Sequence, residues 1–349
     1  MTRWEDARTV LAHAATTTDM SKPGYPTRVP MQMPRGFFVF QDDPVHSMFR
    51  KVLTREFMVK RIEALREPTT RIFGELLDGM MDRGSEADFV EDVALPLPSL
   101  VISEMLGVPY EDHRFFQEHS KVMIDMAASG EQKMVAQQAL GDYLEELVAQ
   151  RRAKPADDLI SRLGEQVDAG TFSARDAADV GAFLLFAGHE TTANMIGLGV
   201  LALLANRDQV PLLYAGKAEL ANSIEELLRY LTIAQSGLVR LAVEDIEVDG
   251  MTIRAGEGVI IMLNAANRDK SMFPGADDLD LTRSNARQHV AFGYGIHQCL
   301  GQPLARMELQ VVLPEVFRRL PGLRVAEGRE VTYKPTAAAY GPAHMPVSW

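Results

Sequence analysis

Residues Phe292–Gly301 read FGYGIHQCLG, and this stretch decides how the rest of the chain is read. It holds Cys299, the single cysteine among 349 residues. A lone cysteine is most often a small buried hydrophobe. This one sits among Gly293, Gly295 and Gly301. The first two permit backbone angles that other residues resist, and Gly301 opens the next helical pattern. A loop folded around one sulfur, with backbone N–H groups aimed at it and a helix N-terminus beside it, stabilises a thiolate. The residues therefore point to a negatively charged sulfur, with plain burial as the alternative.

Working outward, the formal net charge of −12 argues against general nucleic-acid binding, which needs a basic footprint. One cysteine excludes an intrachain disulfide, so nothing requires an oxidising compartment. The first residues, MTRWEDARTVLAHAA, have no apolar signal core, and no run of about eighteen apolar residues follows. The expected product is cytoplasmic, with no membrane association and one domain spanning 1–349.

Apolar periodicity predicts helices over 43–58, 60–82, 98–107, 111–127, 131–153, 173–206, 208–231 and 301–320. Strand patterns are sparse. Residues 246–263 form the clear case, with turn signals at Asp249-Gly250 and Ala255-Gly256, and the tail 331–349 reads as extended segments. The fold class is mainly α with small β-sheets. Residues 14–42 carry four prolines and no helical period, and their Met and Phe side chains suggest a loop folded over something apolar.

Three further stretches carry chemistry. AGHETT, Ala187–Thr192, lies mid-helix, where Gly188 costs roughly 1 kcal/mol relative to Ala; four glycines in that helix leave close packing open as the reason. Glu226 and Arg229 stand at i, i+3, which alone is an ordinary surface pair, and Ser223 with Glu226 has the spacing of a capping box. In DDPVHSMFRK, His46 and Arg50 are four apart and share one helix face.

Together these stretches resemble the cytochrome P450 superfamily, closest to its soluble bacterial branch, and the resemblance covers nearly the whole chain. FGYGIHQCLG matches the family's haem loop (Phe, Gly, x, Gly, x, His or Arg, x, Cys, x, Gly) at six fixed positions, a chance event on the order of one in a million. The resemblance implies that Cys299 is the proximal ligand of haem b (iron protoporphyrin IX). A thiolate in that place favours O–O cleavage in P450s generally. Phe292 would pack beside the sulfur, Gly293 and Gly301 would shape the loop, and His297 would bond a haem propionate. His46, Arg50 and Arg240 would be further propionate partners, although Asp43 and Val45 depart from the family's Pro and acid. Ala187 and Gly188 would leave room for dioxygen. Glu190 and Thr191 would guide protons to it. Glu226 and Arg229 would be structural.

The resemblance also implies an activity: a haem-thiolate monooxygenase that hydroxylates or epoxidises an apolar small molecule, such as a secondary metabolite or xenobiotic. Electrons would come from a ferredoxin and its NAD(P)H-dependent reductase, docking near Lys51, Arg55, Arg61 and Arg306. The substrate would lie against the 14–42 loop, Phe183, Phe186, Gln235 to Val239 and the turn Tyr340 to Pro342. A haem sensor or carrier and a peroxide-driven haem enzyme are the rival readings; the intact Glu190-Thr191 pair argues against both. The family's N-terminal helix and first strands have no counterpart before MTRWEDARTVL. Either a start site is misplaced or the chain is truncated, and the expectation is that the chain as written is unstable.

Overall fold

The computed structural model describes residues 1–26, 32–124, 128–334 and 339–349. Twelve α-helices run through them: α1 (Trp4–Ala12), α2 (Val45–Leu53), α3 (Val59–Ala64), α4 (Arg66–Met81), α5 (Pro96–Leu106), α6 (His113–Ile124), α7 (Gly130–Ala153), α8 (Leu159–Asp168), α9 (Ala174–Ala205), α10 (Lys217–Leu231), α11 (Leu263–Ala266) and α12 (Gln302–Arg319). The strands are short: β1 (Thr16–Thr17), β2 (Glu86–Asp88), β3 (Leu238–Ala242), β4 (Ile246–Val248), β5 (Met251–Ile253), β6 (Gly258–Ile261), β7 (Arg324–Val325), β8 (Thr332–Tyr333), β9 (Pro342–His344) and β10 (Pro346–Ser348). They make antiparallel sheets β1-β3-β6 and β2-β10-β7 and hairpins β4-β5 and β8-β9.

Helix α9 organises the molecule. Ser173 caps it: its Oγ accepts the Asp176 N–H and the Asp176 carboxylate accepts the Ser173 N–H, both at 3.0 Å. The helix is buried on nearly all sides, which its uniformly apolar composition requires. Helices α5, α7, α8, α10 and α12 pack around it, and their side chains form the main apolar core. A second apolar cluster joins α1 to β3, β4 and β6.

Several expected boundaries shift. The 43–58 helix ends at Leu53, and 60–82 divides at Leu65. Residues 208–231 hold a 3₁₀ segment at Arg207–Tyr214 and then α10, broken by Gly216 at φ 155°. Helix α8 was not expected. Its start is the Asp158 cap, whose carboxylate accepts the Ser161 N–H at 2.7 Å. The 14–42, 111–127 and 331–349 segments extend in part outside the described residues. The strand expected over 246–263 forms three strands, turning at Asp249-Gly250 with φ 49° and 74°. The Ser223–Glu226 capping box does not form, because Ser223 lies inside α10 and its hydroxyl donates to the Glu219 carbonyl.

Candidate haem site

The cysteine loop turns back on itself. The Gly293 N–H donates to the Val290 carbonyl, the Gln298 N–H to that of Gly295, and the Cys299 N–H to that of Phe292 at 2.9 Å. Gly293 and Gly295 have φ of 71° and 78°. A side chain at Gly295 would also strike the Leu11 carbonyl of α1 at 2.6 Å. Gly301 stands at the N-cap of α12. Burial pushes the Cys299 thiol pKa up, while the N–H groups of Gly301 and Gln302 and the charges of Arg50 and Arg306 pull it down. Cys299 is solvent-accessible although protein surrounds its sulfur; a residue on the wall of an internal cleft has that character.

Helix α9 offers an accessible strip in an otherwise buried stretch: Phe186, Ala187, Gly188 and Thr191. Other glycines of this helix serve packing. A side chain at Gly197 would meet Pro342 at 2.7 Å, and at Gly181 or Gly199 a leucine or isoleucine methyl at 3.3 Å. At Gly188 the nearest group is Ile102 at 3.6 Å. Protein packing therefore does not exclude a side chain there. The Thr191 hydroxyl donates to the Ala187 carbonyl at 2.8 Å. Glu190, next along the helix, points elsewhere: Lys334 Nζ donates to its carboxylate at 2.8 Å and to Asn194 Oδ1 at 3.0 Å.

His46, Arg50, Arg240 and His297 are brought together at the cleft edge. The His46 and His297 rings lie 4.1 Å apart. Among the described residues, both His46 nitrogens, His297 Nδ1 and Arg240 Nε are buried without a hydrogen-bond partner. The Asp43 carboxylate is 3.7 Å from His46, beyond bonding reach. Asp42 is engaged by Thr17, Thr18 and Lys22. Burial, then His46 and Arg240, push the His297 pKa down to about 3; burial also lowers those of Arg50 and Arg240. Buried polar groups cost free energy unless paired. Two cations, two imidazoles and no carboxylate bonded to any of them suit a ligand bearing carboxylates, and the two propionates of haem b fit. The Cys299 sulfur, close enough to Arg50 to act on its charge, suits its iron.

Elsewhere the buried charges are of a different kind. Glu226 and Arg229 are fully buried, joined by two bonds of 2.7 Å. Arg283 adds a third member at 3.1 Å. Sequence spacing did not reveal it, because it lies 57 residues away. Of the expected docking cations, Arg306 is bound to Glu225 and Arg61 to Glu56 and Asp157, so neither is free. Phe183 is buried and packs with Phe37, Phe38 and Phe40. A cleft of about 260 Å³ lies under the expected loop, lined by Asp19, Met20, Met33, Arg35, Phe40 and Val45. No single helix among the described residues is long and apolar enough to cross a membrane.

Comparison with known proteins bears on this geometry. The cytochrome P450 family model matches residues 220–328. Cytochrome P450-SU2 of Streptomyces griseolus is 46% identical, over all of this chain and 87% of its own. The vitamin D3 dihydroxylase of the same organism is 39% identical, covering 100% and 87%. The crystal structure of GfsF superposes with a TM-score of 0.93 at 44% identity, over 100% of this chain and 89% of that one. The chain therefore belongs to the cytochrome P450 family, and it is a monooxygenase that works with haem.

Proposed function

We propose that this chain, acting as one domain over 1–349, inserts one oxygen atom of dioxygen into a C–H or C=C bond of an apolar small molecule. The observation that carries the assignment of residues is the set of unpartnered atoms on His46, Arg240 and His297, with Arg50 among them, beside an accessible Cys299. Cys299 would hold the iron. The four basic side chains would hold the propionates, and Phe292, Gly293 and Gly301 would shape the loop behind the sulfur. Bound haem supplies the redox chemistry through which dioxygen is activated.

The chain's own groups would do the rest. Gly188 and Ala187 leave the α9 wall low at the cleft. Thr191 presents a hydroxyl there while its proton occupies the Ala187 carbonyl. Glu190 is held by Lys334, so proton passage from Glu190 to Thr191 would require that carboxylate to leave its lysine. The pocket wall is apolar on α9, which excludes water and suits an apolar substrate. The vitamin D3 dihydroxylase relative supports a bulky hydrocarbon framework as the substrate class. Electrons would come from a ferredoxin and its NAD(P)H-dependent reductase, in the cytoplasm.

The reduced, carbon-monoxide-bound difference spectrum tests the assignment. A strongly red-shifted Soret band, abolished in Cys299→Ser while haem remains bound, is the expected result. A band that survives the substitution overturns Cys299 as ligand.

A further inference from the structure

Glu225 precedes Glu226 in α10 and so points about 100° around the helix from it. Its carboxylate accepts Nε and Nη2 of Arg306 at 2.7 and 3.0 Å and faces His289 Nε2 at 3.1 Å. Arg306 Nη1 donates to Gln302 Oε1 at 2.8 Å. The guanidinium lies 4.7 Å from the centroid of the Phe292 ring. Phe292, in turn, accepts the Cys299 N–H through its carbonyl. Three separate segments thus place one buried carboxylate and one half-buried cation behind the ligand loop.

The charges are not equivalent from the sulfur's side. Arg306 places a positive charge over Phe292, whose carbonyl bonds the Cys299 N–H. Glu225 opposes Arg306 directly; burial would raise its pKa, yet bonds from His289 and Arg306 hold it down to about 2. Charges near a metal's ligand set its redox behaviour as the ligand itself does. We propose that Glu225 and Arg306 form a charge balance that sets the reduction potential of the iron held by Cys299. Arg306 raises it, Glu225 limits it, and His289 fixes the carboxylate. All three are positioning residues, acting through Phe292 and the loop. The inference rests on the reading of Cys299 as the ligand.

The test is a reductive titration of the haem-loaded enzyme, followed in the Soret band, with the carbon-monoxide spectrum of each variant. Arg306→Gln removes a positive charge and shifts the midpoint potential down. Glu225→Gln leaves Arg306 uncompensated and shifts it up. Gln302→Glu, which keeps the pair intact, shifts it down. A merely structural pair would give loss of the thiolate band in both charge variants, with no opposition of sign. Shifts of the same sign, or none, overturn the proposal. Should either charge variant lose its haem, Gln302→Glu decides, and an unmoved or raised potential sinks the charge balance. A wild-type protein without the red-shifted band fails the Cys299 reading itself and takes this inference with it.

Discussion

Two groups of buried charge in this molecule are finished differently. In one, Glu226 bonds Arg229 and Arg283, and the two arginines donate to backbone carbonyls of Asn267, Pro274, Gly275, Ala276 and Asp278. At the cleft edge, His46, Arg240 and His297 keep polar atoms buried with nothing bonded to them. Burying an unpaired polar atom costs about 1–3 kcal/mol. A fold carries such a cost where a ligand relieves it. The first group is therefore part of the protein's own stability, and the second is what the proposed seat for the haem propionates requires.

The largest effect should come from breaking the finished group. Glu226→Ala leaves two arginines uncompensated in a fully buried site and should cost about 3–5 kcal/mol, read as a lowered denaturant midpoint of the haem-free chain. Arg240→Met, in the unfinished group, removes an unpaired buried atom and should raise that midpoint, by up to about 1–3 kcal/mol. Equal losses in the two variants would erase the distinction.

Glu308 of α12 is another buried residue, with no hydrogen-bond partner on Oε2 among the described residues. Burial pushes its pKa from 4.5 up to about 8. The folded chain thus keeps a proton that the unfolded chain has released, and stability falls as pH rises between those values. Glu308→Gln should remove this loss, gaining on the order of 3 kcal/mol near pH 8 and nothing near pH 4. Unfolding curves at the two pH values decide it; a gain independent of pH would contradict a protonated Glu308.

Next in size is His297→Phe. A hydrogen bond to a charged partner contributes about 1.5–3 kcal/mol, so transfer of haem to a scavenger protein should quicken by roughly tenfold or more. The haem-free chain should become more acid-tolerant. Its His297 pKa lies near 3 instead of the ordinary 6.5, so the unfolded chain takes up a proton first and stability is lost as pH falls through that window. Unchanged haem transfer would remove His297 from the seat. The smallest effect belongs to Lys334 and Glu190, both partly exposed. A double-mutant cycle of Lys334→Met and Glu190→Gln should give a coupling of about 0.5–1 kcal/mol in stability, and zero coupling would mean the contact is not held in solution.

The sequence by itself determined more of the site than of the fold's details. Cys299, its glycines and the start of α12 are legible because one loop carries them all, and the backbone angles demanded there admit little but glycine. His46 with Arg50, and Glu226 with Arg229, are legible because helical spacing puts each pair on one face. Helix ends at Leu53 and Leu65 were not, since apolar periodicity continues across a break that only packing makes. What the tertiary structure alone decided is which charges are paired. Arg283 joins Glu226, Arg306 joins Glu225, and Lys334 holds Glu190 from 144 residues away. No local pattern announces these contacts, because a charge finds its partner through the path of the whole chain. The same folding decides which charges are left without one.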